Sequence, residues 1–410
     1  MAGEKKNWTV MAYLAGDNNL DENGITDLGE MKKAGSTKGV NVIAEFDRAG
    51  DSRRTSRYFL RKGTSLASDV VQSLGEIDTG DPRDLIDFIK WGAKNYPAER
   101  YLLVLWNHGA GWDDTDVYGG ARPAGAQRAR AGRVRHAFFK FPVSRAVRLS
   151  AGGGQIARAI LFDDSAKDFL DNVEMKKALT AAAGVLGQKI DLVGMDACLM
   201  SMAEVGYQMR DCALFSAGSE ETEPLNGWPY DRILKALVTE PDMKPENLAR
   251  VIVQRYINDY KGGREYVTQS ALNLGASVKM AGAVKALAAA LTAGLEAGET
   301  FNAIAAARGK VQIFDTGDNV DLLDLCSLLR EARVTPAIGN ACDSVLAAAE
   351  GKGGFVLASG TVGAKMKNSR GAAIYFPTSE VSPLYAKLDF DRNTGWGKFL
   401  KAYVARTRSR

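Results

Sequence analysis

The sequence predicts an α/β fold built on a mostly parallel sheet, and three observations predict it. Short apolar runs at residues 9–15, 40–46, 102–106 and 189–195 have the length and composition of buried strands. Amphipathic helical patterns lie between the early ones, and strands alternating with helices imply parallel pairs joined by right-handed crossovers. Asp17, His108 and Cys198 fall just beyond the ends of three of these strands. That is the edge at which open α/β sheets carry their sites.

Taken in order, residues 9–15 open the sheet and GDNNLDENG forms the turn after them. Ile25, Leu28 and Met31 then share one helical face, with Gly35 as a stop. A second strand spans 40–46, followed by a polar, hairpin-like stretch over 51–62. The next helix has Asp81 as its cap, Pro82 at its first position, and a core face of Leu85, Phe88, Ile89 and Trp91. LLVLWNHGAGW, residues 102–112, is a buried strand that ends on His108 and glycines. From 119 to 159 the periodicity disappears into Arg, Ala and Gly, which reads as a long exposed loop.

Order resumes with a helix in DNVEMKKAL and a strand leading to Asp196 and Cys198. A helical pattern of Leu199, Met202, Val205 and Met209 follows, then a strand at 213–219 and the acidic loop SEETEPLNGWPYD. Beyond it come a helix at 245–260, a strand at 267–274, helices at 281–295, 320–332 and 336–350, a strand at 372–377 and a last helix from Trp396. The expected organisation is a catalytic core over 1–260 and a region over 261–410 that completes the sheet and adds a smaller helical subdomain.

Composition narrows the chemistry. A chain of 410 residues suffices for roughly two to three domains, and 46% hydrophobic residues support a sizeable core. The formal net charge of +4 conceals an asymmetry: eight arginines and one lysine, with no acid, lie between Tyr118 and Phe162. Four cysteines are too few for a disulfide framework, and none forms a CxxC or zinc pattern with the two histidines. Cys212, Cys326 and Cys342 are expected to be buried small hydrophobes. No run is expected to reach transmembrane length, and MAGEKKNW lacks the apolar centre of a signal peptide.

His136 lies in the arginine-rich stretch, so a histidine base is expected to be His108. Cys198, read as sitting at a strand-to-helix turn, is the nucleophile candidate, because a helix N-terminus and a nearby imidazole would favour its thiolate. A buried, inert thiol is the competing reading. Gly109 and Gly111 allow a substrate carbonyl close to the backbone, and the amides of Gly109 and Cys198 could form an oxyanion hole.

Taken together, AYLAGDNNLDE, LWNHGAGW, DNVEMKKAL, MDACLMSMAEVGYQ and GSEETEPLNGWPYD resemble the clostripain-like cysteine peptidases. The resemblance spans most of the first 231 residues. It implies the caspase-like three-layer sandwich shared with gingipains and legumain, a dyad of His108 and Cys198, cleavage after Arg or Lys, and activation by self-cleavage between the two. Asp196 matches the family's specificity-pocket acid and by alternation shares a side with Cys198; a structural carboxylate is the alternative. Glu221, with Glu220 and Glu223, is a second choice read as rim or solvated charge, and Trp228 either walls the pocket or packs.

Arg128, Arg130, Arg133 and Arg135 are the central candidates for self-cleavage, and the uncut loop would make the intact chain a zymogen. The competing class is an idle binding protein whose Arg-rich loop engages acidic partners. Phe138, Phe139 and Phe141 could stack on bases there, but nucleic acid and membrane are not expected partners. Protein or peptide substrates bearing Arg or Lys are, with the chain working as a monomer or a two-fragment processed complex. No cofactor is required; the family leaves room for Ca2+ at an acidic site, and no metal ligand is assigned. An EF-hand over Asp163 to Glu174 is excluded, since Lys167 and Asp168 stand where a ligand and a glycine are needed. The resemblance favours a secreted or cell-envelope setting, with cytoplasm as the alternative.

Overall fold

Five apolar segments pair side by side, four of them largely buried on both faces. The computed structural model describes residues 5–50, 54–113, 160–315 and 317–409. The first part comprises β1 (Lys6–Gly16), α1 (Asp21–Ala34), β2 (Val40–Arg48), β3 (Thr55–Phe59), β4 (Val70–Gly75), α2 (Pro82–Asn95) and β5 (Ala98–Trp106). The hairpin of β6 (Ile160–Asp163) and β7 (Asp168–Leu170) follows. Next come α3 (Asn172–Leu186), β8 (Ile190–Asp196), α4 (Ala203–Met209), β9 (Ala213–Gly218), α5 (Tyr230–Thr239), α6 (Pro245–Tyr260) and β10 (Val267–Asn273).

The C-terminal part adds α7 (Ser277–Gly294), α8 (Gly298–Lys310), β11 (Ile313–Phe314), β12 (Asn319–Asp321), α9 (Leu322–Glu331) and α10 (Pro336–Ala349). It ends with β13 (Val356–Val362), β14 (Ala373–Tyr375), α11 (Asp389–Thr394) and α12 (Trp396–Arg408).

The nine-stranded sheet runs β13, β10, β9, β8, β5, β1, β2, β3, β4. Its five middle strands, from β9 to β2, are parallel, and the flanking pairs are antiparallel. On one face Leu103, Leu105 and Val193 pack with Phe88 of α2 and Leu179 of α3. On the other, Leu102, Val42 and Leu192 pack with Leu28 of α1, Leu234 of α5 and Tyr256 of α6. This is the expected three-layer α/β sandwich. The C-terminal region extends the sheet through β10 and β13 and adds α7 to α12 around a small sheet of β11, β12 and β14.

Local chemistry sets the helix ends. Asp81 accepts from the Arg83 amide ahead of Pro82, and Asp171 and Glu174 form a capping box that starts α3. Gly187 stops α3 with a φ of 68°. The sequence reading did not resolve α5, α8, β4 or β13; β13, VLASGTV, is a half-buried edge strand without strict alternation.

One expectation is corrected. Leu274–Gly294 is long and apolar enough to cross a membrane by length and composition, although half of the tested stretch is buried inside the fold. Its alanines let it pack closely against α10, α11 and α12, as a core helix does.

Trp112, just past the His108 loop, joins the two regions. It is 1% exposed, and its ring stands 4.2 Å from that of Tyr375 and edge-on to Tyr385 at 4.8 Å. Trp112→Ala is expected to cost about 3–5 kcal/mol, measured by urea unfolding in a Cys198→Ala background.

Candidate active site

The site is assembled by strand register. Trp106 of β5 pairs with Asp196 of β8, so His108 and Cys198 each stand two residues beyond a registered pair. The two loops then press together. A Cβ on Gly109 would lie 2.6 Å from the Cys198 carbonyl oxygen and 2.8 Å from Ala197 Cβ, so only glycine fits there. Gly111, at a φ of 75°, lies against Leu199 and Met202.

The His108 loop is held from beneath by two asparagines. Asn107 Nδ2 donates to the carbonyls of Ala15 and Phe162, and its Oδ1 accepts from the His108 amide. Asn18 Nδ2 donates to the same two carbonyls at 3.0 and 2.8 Å. His108 Nε2 lies 2.8 Å from Asn19 Oδ1. Because that amide oxygen can only accept, Nε2 carries the proton and Nδ1 keeps the lone pair. Burial pulls the His108 pKa down to about 4.

Cys198 departs from its expectation. The thiol is pushed up to about 12 by burial, reinforced by the carboxylates of Glu223, Asp315 and Glu221, and the Glu223 amide donated to Sγ at 3.2 Å offsets this only in part. The helix expected at this turn begins only at Ala203 and spans seven residues. Leu199, at a φ of 65°, donates its amide to the Glu221 carbonyl at 3.2 Å, and Ser201 donates to Ser219 at 2.8 Å. The segment is thus bound to the loop after β9 and lies outside any helix, so no helix N-terminus reaches the sulfur. The amides of Gly109 and Cys198 meet no acceptor among the described residues.

Below the thiol lies an acidic, aromatic floor. Asp196 Oδ2 accepts from Tyr230 Oη at 2.7 Å and from the Trp228 amide at 3.3 Å. The Glu223 carboxyl faces Asp196; burial first, and then this like charge, raises Glu223 well above the usual carboxylate range. Asp196 is raised by burial too. Asp27 adds a third acid, pushed up to about 9 by burial and the Asp196 charge and held by Trp106 Nε1 at 2.7 Å. Among the described residues none of the three is paired with a lysine or arginine. Tyr256 Oη is buried without a hydrogen-bond partner among the described residues.

Glu221 does not stand on the rim as expected. It is 4% exposed, and its carboxylate accepts from the amides of Thr222 and Asp315, so it anchors the turn before β12. Glu220 is buried as well and accepts from the Gly371 amide at 3.0 Å. The acid beside Asp196 is Glu223. Trp228 packs its ring beneath Gly194 of β8 while its amide holds Asp196, so it both packs and floors the site. His136, Arg128, Arg130, Arg133 and Arg135 lie outside the described residues. Asn19, Asp27 and Asp315 were not singled out from sequence; the only signal was the paired asparagine in GDNNLDE.

The Clostripain family profile (Peptidase_C11) matches residues 12–122 and 150–402 of the chain. The chain belongs to the clostripain family. Clostripain of Hathewaya histolytica is 29% identical over 228 residues, 49% of this chain and 36% of that protein, so the match spans about a third of that relative's length. Two solved structures share the fold. An inactive zymogen C11 protease from Parabacteroides distasonis is 20% identical with a TM-score of 0.67, covering 96% of this chain and 99% of the other. A secreted C11 cysteine protease from Bacteroides thetaiotaomicron, bound to an irreversible peptide inhibitor, is 19% identical with a TM-score of 0.62 and covers 96% and 99%. The clostripain-family match skips residues 123–149, the middle of the arginine-rich stretch.

The raised thiol makes a checkable statement about this state. In the uncut chain, alkylation of Cys198 by iodoacetamide at pH 7.5, followed by peptide mass mapping, should run at least about a hundredfold slower than for an unfolded cysteine peptide. The rate should climb without a plateau between about pH 7 and 10, because the thiolate appears only as pH approaches the raised pKa.

Proposed function

We propose that the chain is a cysteine endopeptidase that cleaves after Arg or Lys and is made as a zymogen. The acid pair of Asp196 and Glu223, buried beneath Cys198 without a described basic partner, carries this reading. A substrate guanidinium or ammonium would supply the missing positive charge there, and Arg could engage carboxylates in two parallel hydrogen bonds. Asp27 deepens the negative field from behind.

In the proposed cycle Cys198 Sγ attacks the carbonyl carbon of the basic residue, and the amides of Gly109 and Cys198 receive the oxyanion. His108, through Nδ1, takes the thiol proton and passes it to the leaving amine as the C–N bond breaks, giving a thioester. A water deprotonated by His108 then hydrolyses the thioester, releasing the carboxylate and restoring the thiol. Asn19 orients the ring through Nε2.

The uncut state suits latency, because both partners are neutral: His108 near 4 is a weak base and Cys198 near 12 a weak acid. Proton transfer between them is uphill until a cation enters the acidic floor or the loops rearrange. Self-cleavage at Arg128, Arg130, Arg133 or Arg135 would leave two fragments associated through β5 and β8, as a monomeric two-fragment complex. A setting outside the cytoplasm, like that of the secreted Bacteroides thetaiotaomicron relative, fits such a peptidase.

Intact mass of the purified chain beside Cys198→Ala, with both offered a fluorogenic arginine substrate, tests the proposal. Fragments meeting after an arginine in the wild type alone, with turnover, are expected; no turnover after limited loop cleavage would refute it. Asp196→Asn should cut kcat/KM for the arginine substrate by about a hundredfold or more.

A further inference from the structure

Two thiols that the proposed peptidase chemistry does not use meet in the C-terminal region. Cys326 sits on α9 and Cys342 on α10, two helices joined by the short turn 332–335 and packed side by side. So short a connection makes the pair an antiparallel hairpin. Cys326 lies about as far before the end of α9, at Glu331, as Cys342 lies beyond the start of α10, at Pro336. The hairpin therefore sets them opposite each other, and their side chains are hydrogen-bonded. Each is 0% exposed, in the apolar core that also holds Leu329 and Val345. The other two cysteines are engaged elsewhere: Cys212 donates to the Met209 carbonyl at 3.2 Å, and Cys198 Sγ accepts from the Glu223 amide.

We infer that Cys326 and Cys342 are a disulfide site, oxidised where the chain folds in an oxidising compartment and left as thiols where it folds in a reducing one. Thiols already in contact across two packed helices are separated from a bond of about 2 Å by only a short approach of the sulfurs. The oxidant is a small disulfide of the glutathione class. One protein thiolate attacks a glutathione sulfur, which releases one glutathione thiol and leaves a mixed disulfide. The second protein sulfur then attacks the protein sulfur of that mixed disulfide and releases the other glutathione. The chain loses two hydrogens and the oxidant gains them.

Burial decides when this exchange takes place. In the folded chain neither sulfur is open to an oxidant, and burial, followed by the neighbouring thiol, holds Cys326 well above the ordinary thiol range, so thiolate is scarce. Oxidation therefore belongs to the chain before its core closes, and the closed core keeps whichever state it was given. The finished bond is shielded in the same way from a reductant that reaches the partly exposed Cys198. α9 is also joined to the site. It begins at Asp321, whose carboxylate accepts from the amides of Asp324 and Arg370, and the turn before β12 is anchored on Glu221 through the Asp315 amide. A cross-link between α9 and α10 stiffens that support and leaves the Cys198 thiol free.

The full-length Cys198→Ala chain tests this independently of peptidase activity. It is produced in a reducing cytosol and, separately, exported to an oxidising periplasm behind an added signal peptide. Both samples are alkylated with iodoacetamide under denaturing conditions without reductant and mapped by mass spectrometry. In the exported chain a peptide pair linked through Cys326 and Cys342 is expected, with Cys212 alone alkylated; in the cytosolic chain all three thiols should be alkylated. The linked form should melt a few degrees higher than the thiol form, because the bond restricts the unfolded chain. Cys326→Ala and Cys342→Ala should each abolish that difference between the two sources. Three free thiols in the exported chain, or a link through Cys212, would overturn the site, and equal melting temperatures would overturn its role as a staple. The folded cytosolic chain, held overnight in oxidised glutathione, should remain unlinked; linkage there at the rate seen during unfolding in the same buffer would overturn the retention of its state.

Discussion

Parallel pairing of β5 with β8 is the constraint on which the rest of the molecule depends. Leu102 to Leu105 and Leu192 to Met195 alternate between two buried faces, so a slip of one residue would turn every apolar side chain to the wrong layer. The core therefore specifies the register, and the register specifies that His108 and Cys198 leave the sheet side by side. Close backbone contact at Gly109 completes what the sheet begins. Geometry of this kind is inherited from packing, which makes it far stiffer than a contact between two free loops.

Electrostatics then separates the resting site from a working one. Burial keeps His108 and Cys198 both neutral, and carboxylates around the sulfur hold its proton more firmly. Under the proposed function, the basic side chain that Asp196 and Glu223 would select is also the charge that offsets those carboxylates. Recognition and activation of the nucleophile would then share one interaction, and a ligand lacking the cation would meet an inert thiol.

Much of this was legible in the sequence, and the parts that were not share a cause. The buried strands showed as apolar runs, and Asp81, Pro82, Pro245 and Pro336 marked helix starts that the structure keeps. Leu199, Met202, Val205 and Met209 have helical spacing, yet their first residues bind the loop at Ser219 and Glu221, twenty residues away in the chain. Periodicity carries no information about a partner at that distance. Likewise nothing local distinguishes Glu221, tied to Asp315, from Glu223, facing Asp196; the choice is made by the turn before β12, almost a hundred residues later.

The direct contact of β5 with β8 also separates two things that a chain usually keeps together. His108 and Cys198 are brought together by hydrogen bonds between strands, whereas the polypeptide that connects them runs through β6, β7 and α3 before it returns to the sheet. Residues 123–149 of that connection lie outside the family match. Under the proposed function, a change in that connection would alter the trigger of the molecule, the event that sets it to work, while the paired strands keep its chemistry.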